Sequence, residues 1–188
     1  MPQEIQYTND VTLSLQKVQG SDGRLNVSSR ADTRAYYNSR DLGQTYSFTW
    51  RMTNANDTET VAYLRNDSTT GKILVVDAIG LNSDVNTQFK LSFVTGTASA
   101  GTAVTPTNLN KASGNAATAT AQQPASDDAP ITGLTTDGEI DFAYCVANGH
   151  EEFRLGDRVR LAQNDAVEIE VFVGTNADVG GVIFFFLE

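Results

Sequence analysis

The chain has 188 residues, a length that fits one domain or one domain with an ordered arm. Its 23 acidic and 13 basic residues give a net charge of −10, which argues against nucleic acid and anionic membranes as partners. Cys145 is the only cysteine, which excludes an internal disulfide and a cysteine-rich metal site, and we expect it to be a buried strand residue.

Residues 1–44 are predicted to form an N-terminal arm. Their strand signals are weak, and the best helical candidate, residues 30–42, carries charge on all sides and ends at Gly43. Tyr36 and Tyr37 are interpreted as strand or subunit-interface residues. The arm is almost neutral while the rest of the chain is strongly acidic, so its arginines are either solvated or face an acidic partner. The candidates for such a contact are Arg24, Arg30, Arg34 and Arg40.

Strands dominate the prediction from residue 45 onward. Two segments alternate apolar and polar residues with the period of a half-buried strand, and between them residues 61–64 and 73–81 form a predicted strand pair. Asp77 interrupts the second member of this pair, and we interpret it as a turn or bulge residue rather than a catalytic acid. The alternating positions predicted to face the core are Tyr46, Phe48, Trp50, Met52, Phe89, Leu91 and Phe93.

Residues 95–126 form a long polar excursion from the predicted domain. Lys111 is their only charged residue, and Thr, Ala, Asn and Gly prevail. The segment is too long for an ordinary hairpin loop and too poor in charge for a typical disordered tail. We expect it to pack its small side chains against another chain or to project from the domain.

Three further strands are predicted after the excursion. Two of them alternate again, and there Glu168 and Glu170 are predicted to face water. Residues 182–188 are strongly apolar, so we expect an inner strand that is paired on both edges or covered by another subunit. Phe184 and Phe186 in this strand are candidates for the subunit interface. The alternating positions predicted to face the core are Ile140, Phe142, Tyr144, Val146, Val167, Ile169, Val171 and Val173.

Together these elements predict an all-β fold. We expect an antiparallel β-sandwich of about eight strands over residues 45–188, preceded by the arm. No amphipathic helix of useful length is predicted.

The sequence contains no convincing catalytic motif. The nucleophile elbow, HExxH, phosphate-binding and dinucleotide-binding patterns are absent, and His150 lies in a loop without a recognisable nucleophile or orienting acid. We therefore expect a protein that is not an enzyme and holds no cofactor. A structural calcium ion is left open, although its oxygen ligands follow no EF-hand pattern. These candidate ligands are Asn82, Asp84, Asp127 and Asp128.

Three segments resemble known families. Residues 101–121, GTAVTPTNLNKASGNAATATA, and residues 35–49, AYYNSRDLGQTYSFT, are similar to stretches of tailed-bacteriophage virion proteins. Residues 153–188 are similar in layout to the end of jelly-roll domains of the TNF and C1q type. In those domains a G-D-x-V turn opens one strand and an apolar strand ends the domain; the turn here is GDRV at 156–159.

The resemblance implies a virion component, often a trimer, of the head-decoration (cement) or head-spike type. Such a protein is made in the host cytoplasm and sits on the capsid exterior. Its partners are the major capsid protein and, in a homotrimer, its own copies, with the arginines of the arm facing the capsid. The alternative is a head-fibre or tail-spike tip that binds a host-surface glycan, because jelly rolls also serve as binding modules.

Overall fold

The computed structural model describes residues 34–127 and 129–188. The segments with strand periodicity form long strands, and three short strands lie in the polar excursion. The strands in these residues are β1 (Thr45–Ala55), β2 (Glu59–Asn66), β3 (Leu74–Ser83), β4 (Thr87–Ser99), β5 (Gly101–Val104), β6 (Thr107–Asn108), β7 (Ala119–Pro124), β8 (Thr132–Cys145), β9 (Gly149–Leu161), β10 (Ala166–Val173) and β11 (Ala177–Leu187).

Two antiparallel sheets form a sandwich. Sheet A has the strand order β6-β1-β11-β3-β9, and sheet B has the order β5-β7-β2-β10-β4-β8. Without the short β5, β6 and β7, the remaining strands divide four and four, with the neighbour relations of a jelly roll. The predicted all-β, jelly-roll-like sandwich of about eight strands is confirmed.

The hydrophobic core lies between the two sheets. All four predicted core positions of β1 are at most 3% exposed. Tyr46 stacks on Phe185 with 5.5 Å between the ring centroids, and Trp50 meets Phe89 edge-on at 6.3 Å. Burial of each such side chain contributes roughly 1.5–3 kcal/mol, so these layers supply most of the stabilisation.

The last strand, β11, is an inner strand paired with β1 on one side and β3 on the other. This confirms the first of the two predicted arrangements. Phe185 faces the core, while Phe186, which points to the opposite face, is also fully buried within the chain. The apolar end of the chain is therefore covered without a second subunit.

Strand β8 presents a different face from the one predicted. Ile140 packs against the core as expected, but after it Ala143 and Cys145 face inward. The register between β8 and β4 shifts beside Ile140, and such a bulge changes which residues of a strand face the core. The prediction was therefore wrong for three residues, which are exposed: Phe142, Tyr144 and Val146.

Strand β10 also departs from its prediction on one face. Its inward residues up to Val171 are buried as predicted, but Val173 is 50% exposed. Glu168 and Glu170 are 3% and 9% exposed, so the prediction that they face water is wrong. Their burial comes from residues distant in sequence, which are described below.

The bulge predicted at Asp77 is confirmed. Pairing of β3 with both β11 and β9 skips this residue. Opposite it, the register of β9 jumps from residue 154 to residue 159, so GDRV at 156–159 belongs to an irregularity inside β9 and does not open a strand. The expectation that GDRV opens a strand is wrong, because β9 pairs with β3 both before and after this irregularity.

The polar excursion folds back onto its own sandwich. β5 and β7 pair with each other and extend sheet B through β2, and β6 pairs with β1 at the edge of sheet A. The small side chains thus contact the chain's own strands, an arrangement that neither expectation described.

Residues 34–42 form a short helical segment within the predicted arm. It consists of α1 (Arg34–Tyr37) and a π-helical turn (Asn38–Leu42), and it ends at Gly43 in the left-handed conformation, with φ 59°. Asparagines of the excursion donate hydrogen bonds to its last carbonyls, which have no partner within the helix. These bonds join Asn110 Nδ2 to Ser39 O (2.8 Å), Asn115 Nδ2 to Leu42 O (2.9 Å) and Asn108 Nδ2 to Gly43 O (2.8 Å).

Candidate interaction surface

Four short connections meet at one end of the sandwich, which we call the turn end: β1–β2, β3–β4, β8–β9 and β10–β11. Asn and Asp side chains in two of them, β1–β2 and β3–β4, accept hydrogen bonds from backbone N–H groups in or beside the other two. The bonds join Gly174 N to Asp57 Oδ1 (2.6 Å), Asn176 N to Asn56 Oδ1 (3.2 Å), Asp178 N to Asp84 Oδ1 (2.7 Å) and Ala147 N to Asn86 Oδ1 (3.0 Å). These bonds hold the turns in fixed relative positions.

Beside the turn end, the outer face of sheet B carries an exposed apolar surface, which we call the aromatic patch. Its members come from the ends of β8 and β10, and their exposed fractions run from 38% to 57%. Phe142 and Phe172 pack edge-on at 5.3 Å between centroids. Contiguous apolar groups of this kind mark interaction sites on soluble proteins. The patch consists of Phe142, Tyr144, Val146, Phe172 and Val173.

A buried ion pair underlies the patch. Lys90 Nζ lies 2.9 Å from Glu170 Oε1, and the two side chains are 9% and 12% exposed. The same ammonium lies 5.3 Å from the centroid of the Phe172 ring. Since an unpaired charge would be costly at such depth, we expect the ion pair to stay formed beneath the aromatic ring.

The edge of β8 carries acidic side chains next to the patch. Asp137, Glu139 and Asp141 are exposed, and β8 ends the strand order of sheet B in the described residues. Register shifts interrupt its pairing with β4 at three places. Charges and bulges on an edge strand oppose the addition of a further strand. A partner would therefore contact the side-chain face of the patch.

The half of this outer face that lies away from the turn end is covered by another segment of the chain, and we call it the covered half. The connection between β7 and β8 crosses it, and Ile131 packs there with Tyr63, Val94 and Ala166. The Ile131 N–H donates to Thr60 O at 3.0 Å, which fastens the connection to β2. This half is a small second core.

Glu168 lies in the covered half. Its carboxylate accepts hydrogen bonds from Thr60 Oγ1 at 2.7 Å and from Thr136 Oγ1 at 3.3 Å. Burial raises the pKa of Glu168, and the neighbouring Glu170 carboxylate acts in the same direction, against the two hydroxyl groups and Lys90.

A cleft lies on the other sheet at the same end. Its volume is about 470 Å³, and it opens over β1, β11 and β3. The lining combines one cationic, two anionic and two carboxamide side chains with the backbone of a Gly-Gly pair. The lining includes Trp50, Arg51, Asn82, Asp84, Asn148 and Asp178.

Two of the four arginines predicted to contact the capsid lie within the described residues. Arg24 and Arg30 lie outside the described residues, and Arg34 begins α1. Arg40 is exposed, bonds to Asp41 at 2.7 Å and lies 5.0 Å from the Tyr36 ring centroid. That arginine lowers the pKa of the Asp41 carboxyl, chiefly through its hydrogen bond.

The predicted interface residues differ in exposure. Tyr36 is 40% exposed, Tyr37 and Phe184 are half-buried, and Phe186 is buried inside the chain. The patch was not predicted, because the alternation of apolar residues places Phe142 and its alternating neighbours in the core. A strand that is apolar at every second position gives no local signal for a bulge.

The remaining candidates are spread over the molecule. Cys145 is buried as predicted, and burial raises the pKa of its thiol. His150 is exposed on β9 opposite Asn82. Of the calcium candidates, Asn82 and Asp84 line the cleft, Asp127 lies in the β7–β8 connection on the other sheet, and Asp128 is outside the described residues. Within residues 34–127 and 129–188, no three His, Cys, Asp or Glu side chains are grouped closely enough for a metal ion.

Comparisons of the chain with protein-family models, curated proteins and solved structures found no match. Among the described residues, no helix has the length and apolar character needed to span a membrane.

Proposed function

We propose that this protein is a structural subunit of a virion, a capsid-decoration (cement) protein on the outside of a tailed-phage head. The observation that carries the proposal is the aromatic patch, held on a hydrogen-bonded turn end. Exposed aromatic rings over a buried ion pair offer a rigid surface that can be desolvated on association at little conformational cost. In the proposal this surface contacts sister subunits in a homotrimer.

The arginine-bearing segment supplies the capsid contact in this proposal. The body of the chain is strongly acidic, whereas residues 1–51 hold six basic and five acidic residues. An acidic capsid exterior would repel the body and accept this segment. The resemblance of residues 35–49 and 101–121 to phage virion proteins supports the same assignment.

The subunit contact is tested with the double variant Phe142→Ser/Tyr144→Ser. Because both side chains are exposed, we expect it to fold normally and to be a monomer by light scattering, whereas the wild type is an oligomer. Leu109→Ser is the matched control, since Leu109 is 46% exposed outside the patch. A double variant that keeps the wild-type mass, or a monomeric wild type, contradicts the proposal.

The capsid contact is tested separately by charge reversal, Arg30→Glu/Arg34→Glu. We expect occupancy on undecorated heads of the phage that encodes the protein to fall at least about tenfold, with the oligomer unchanged. Unchanged occupancy, measured by co-sedimentation, refutes the capsid-facing role.

A glycan-binding tip module is the second candidate. Trp50 is buried in the core, but Tyr144 is 56% exposed beside Phe142 and Phe172 and offers a ring face on which a sugar can stack. Glycan binding by a protein that never associates with heads would favour this candidate.

A further inference from the structure

The exposed apolar side chains of the molecule fall in two places. Among residues 34–127 and 129–188, eight large hydrophobic side chains are at least 38% exposed, and five of them form the aromatic patch. The other three are Tyr36 and Leu42 of the helical segment and Leu109 of the polar excursion, which are 40%, 40% and 46% exposed. A second group of exposed apolar side chains therefore exists outside the patch.

Hydrogen bonds bring this second group together from two distant parts of the sequence. Leu109 lies between Asn108 and Asn110, whose side chains each donate to a carbonyl oxygen of the helical segment or its cap at 2.8 Å. The acceptors are Gly43 O and Ser39 O. We call the exposed side chains of the joined segments the helical surface, which consists of Tyr36, Arg40, Leu42, Leu109 and Lys111.

The helical surface differs in charge from the rest of the molecule. Residues 34–44 and 101–124 contain three basic residues and one acidic residue, a net charge of +2 in a chain whose total is −10. Arg40 and Lys111 are both exposed. A surface that combines exposed apolar groups with positive charge is complementary to an acidic protein surface.

The helical surface lies at the end of the sandwich opposite the turn end. The helical segment ends at Leu42, shortly before β1 begins at Thr45, and β1 ends at Ala55 beside the β1–β2 connection of the turn end. The 11 residues of β1 separate the two ends by roughly 35 Å. The aromatic patch can therefore contact a sister subunit while the helical surface contacts a different partner.

We infer that the helical surface docks on an acidic protein surface, with Leu42 and Leu109 buried at the contact and Arg40 and Lys111 around them. In the proposed function, on which this contact rests, the acidic surface is the capsid exterior. The polar excursion thereby joins a contact that the proposed function assigns to the arginine-bearing segment alone. The two leucines act through burial of apolar area, which a reversal of charge leaves in place.

The test is the double variant Leu42→Ser/Leu109→Ser, which removes apolar area and keeps every charge. Binding of the full-length protein to undecorated heads of the phage that encodes it is measured by co-sedimentation over a range of protein concentrations. We expect the affinity to fall at least about tenfold, because the burial of two leucine side chains is lost. The oligomer mass should stay that of the wild type, since both residues lie outside the aromatic patch.

Ala103→Ser is the matched control. It introduces the same side chain at an exposed position of β5, in the same excursion but outside the helical surface, and it should bind heads like the wild type. Circular dichroism verifies that each variant folds.

A double variant that binds heads as tightly as the wild type overturns the inference but leaves the proposed capsid role, which Arg30→Glu/Arg34→Glu tests by itself. A loss of affinity that Ala103→Ser shares also overturns it, because the effect would then not be specific to the helical surface. A wild type that binds no heads contradicts the proposed function and this contact together.

Discussion

The two halves of the outer face of sheet B are built on the same strands and differ in what lies over them. In the covered half, the β7–β8 connection places Ile131 on Tyr63 and Val94. In the half beside the turn end, Phe142 and Tyr144 have nothing above them in the described chain, and they are 41% and 56% exposed. This sheet face is therefore apolar at both ends, while the chain covers only one of the two ends.

The comparison separates residues needed for folding from residues available for binding. Substitutions in the covered half should lower the free energy of unfolding, because they remove contacts within the chain. Substitutions in the aromatic patch should leave it almost unchanged and act on association.

The largest expected effect on stability is that of Glu170→Gln, at the boundary between the covered half and the aromatic patch. It removes the charge that pairs with Lys90, which is 7% exposed, and leaves a buried ammonium without its counter-charge. We expect the free energy of unfolding in urea to fall by about 3 kcal/mol near neutral pH. A loss below about 0.5 kcal/mol would mean that solvent reaches the pair.

The next effect tests the covered half directly through Val94→Ser. Val94 is 5% exposed and packs in the second core. The substitution removes two buried methyl groups and adds a hydroxyl, so we expect a loss of about 2 kcal/mol with no change in oligomer mass. Urea unfolding and light scattering of the same sample measure both quantities. If the free energy of unfolding is undiminished, the β7–β8 connection does not exclude water from the covered half.

The sequence predicts the fold better than it predicts this division. In β1, the register with β11 runs without a shift from Thr45 to Met52, so simple alternation identifies the buried face correctly. In β8, a bulge in the pairing with β4 changes which alternating residues face the core after Ile140. Glu168 is buried where Thr60 of β2 and Thr136 of β8 donate hydrogen bonds to its carboxylate. Both facts depend on pairing between residues distant in sequence, which local periodicity does not encode.

A smaller effect of opposite sign is expected for Glu168→Gln. Burial raises the pKa of Glu168, so near neutral pH the folded state holds this carboxyl in an environment that disfavours its charge. The amide keeps hydrogen-bonding groups for Thr60 and Thr136 without that charge. We expect the free energy of unfolding to rise by on the order of 1 kcal/mol near neutral pH.

The pH dependence of this gain follows from the sign of the shift. Since the folded pKa is raised, the stability contributed by the protonated carboxyl is complete below the ordinary value of 4.5 and is lost as the pH rises through the folded pKa. The advantage of Glu168→Gln over wild type should therefore shrink between about pH 7 and about pH 4. An advantage that grows on acidification would mean that the pKa is lowered in the folded protein.

The smallest effect on stability is expected for Val173→Ser, the same chemical change as Val94→Ser made in the uncovered half. Val173 is 50% exposed, so its side chain loses little burial, and we expect the free energy of unfolding to change by less than about 0.5 kcal/mol. If the aromatic patch is the subunit contact, this variant should nevertheless dissociate at a protein concentration where the wild type and Val94→Ser remain associated. Sedimentation over a dilution series measures that difference. Equal stability losses at the two valines would contradict the division, because they would mean that Val173 is covered within the single chain. A Val173→Ser protein that is stable and still associates would keep the division but move the contact away from the patch.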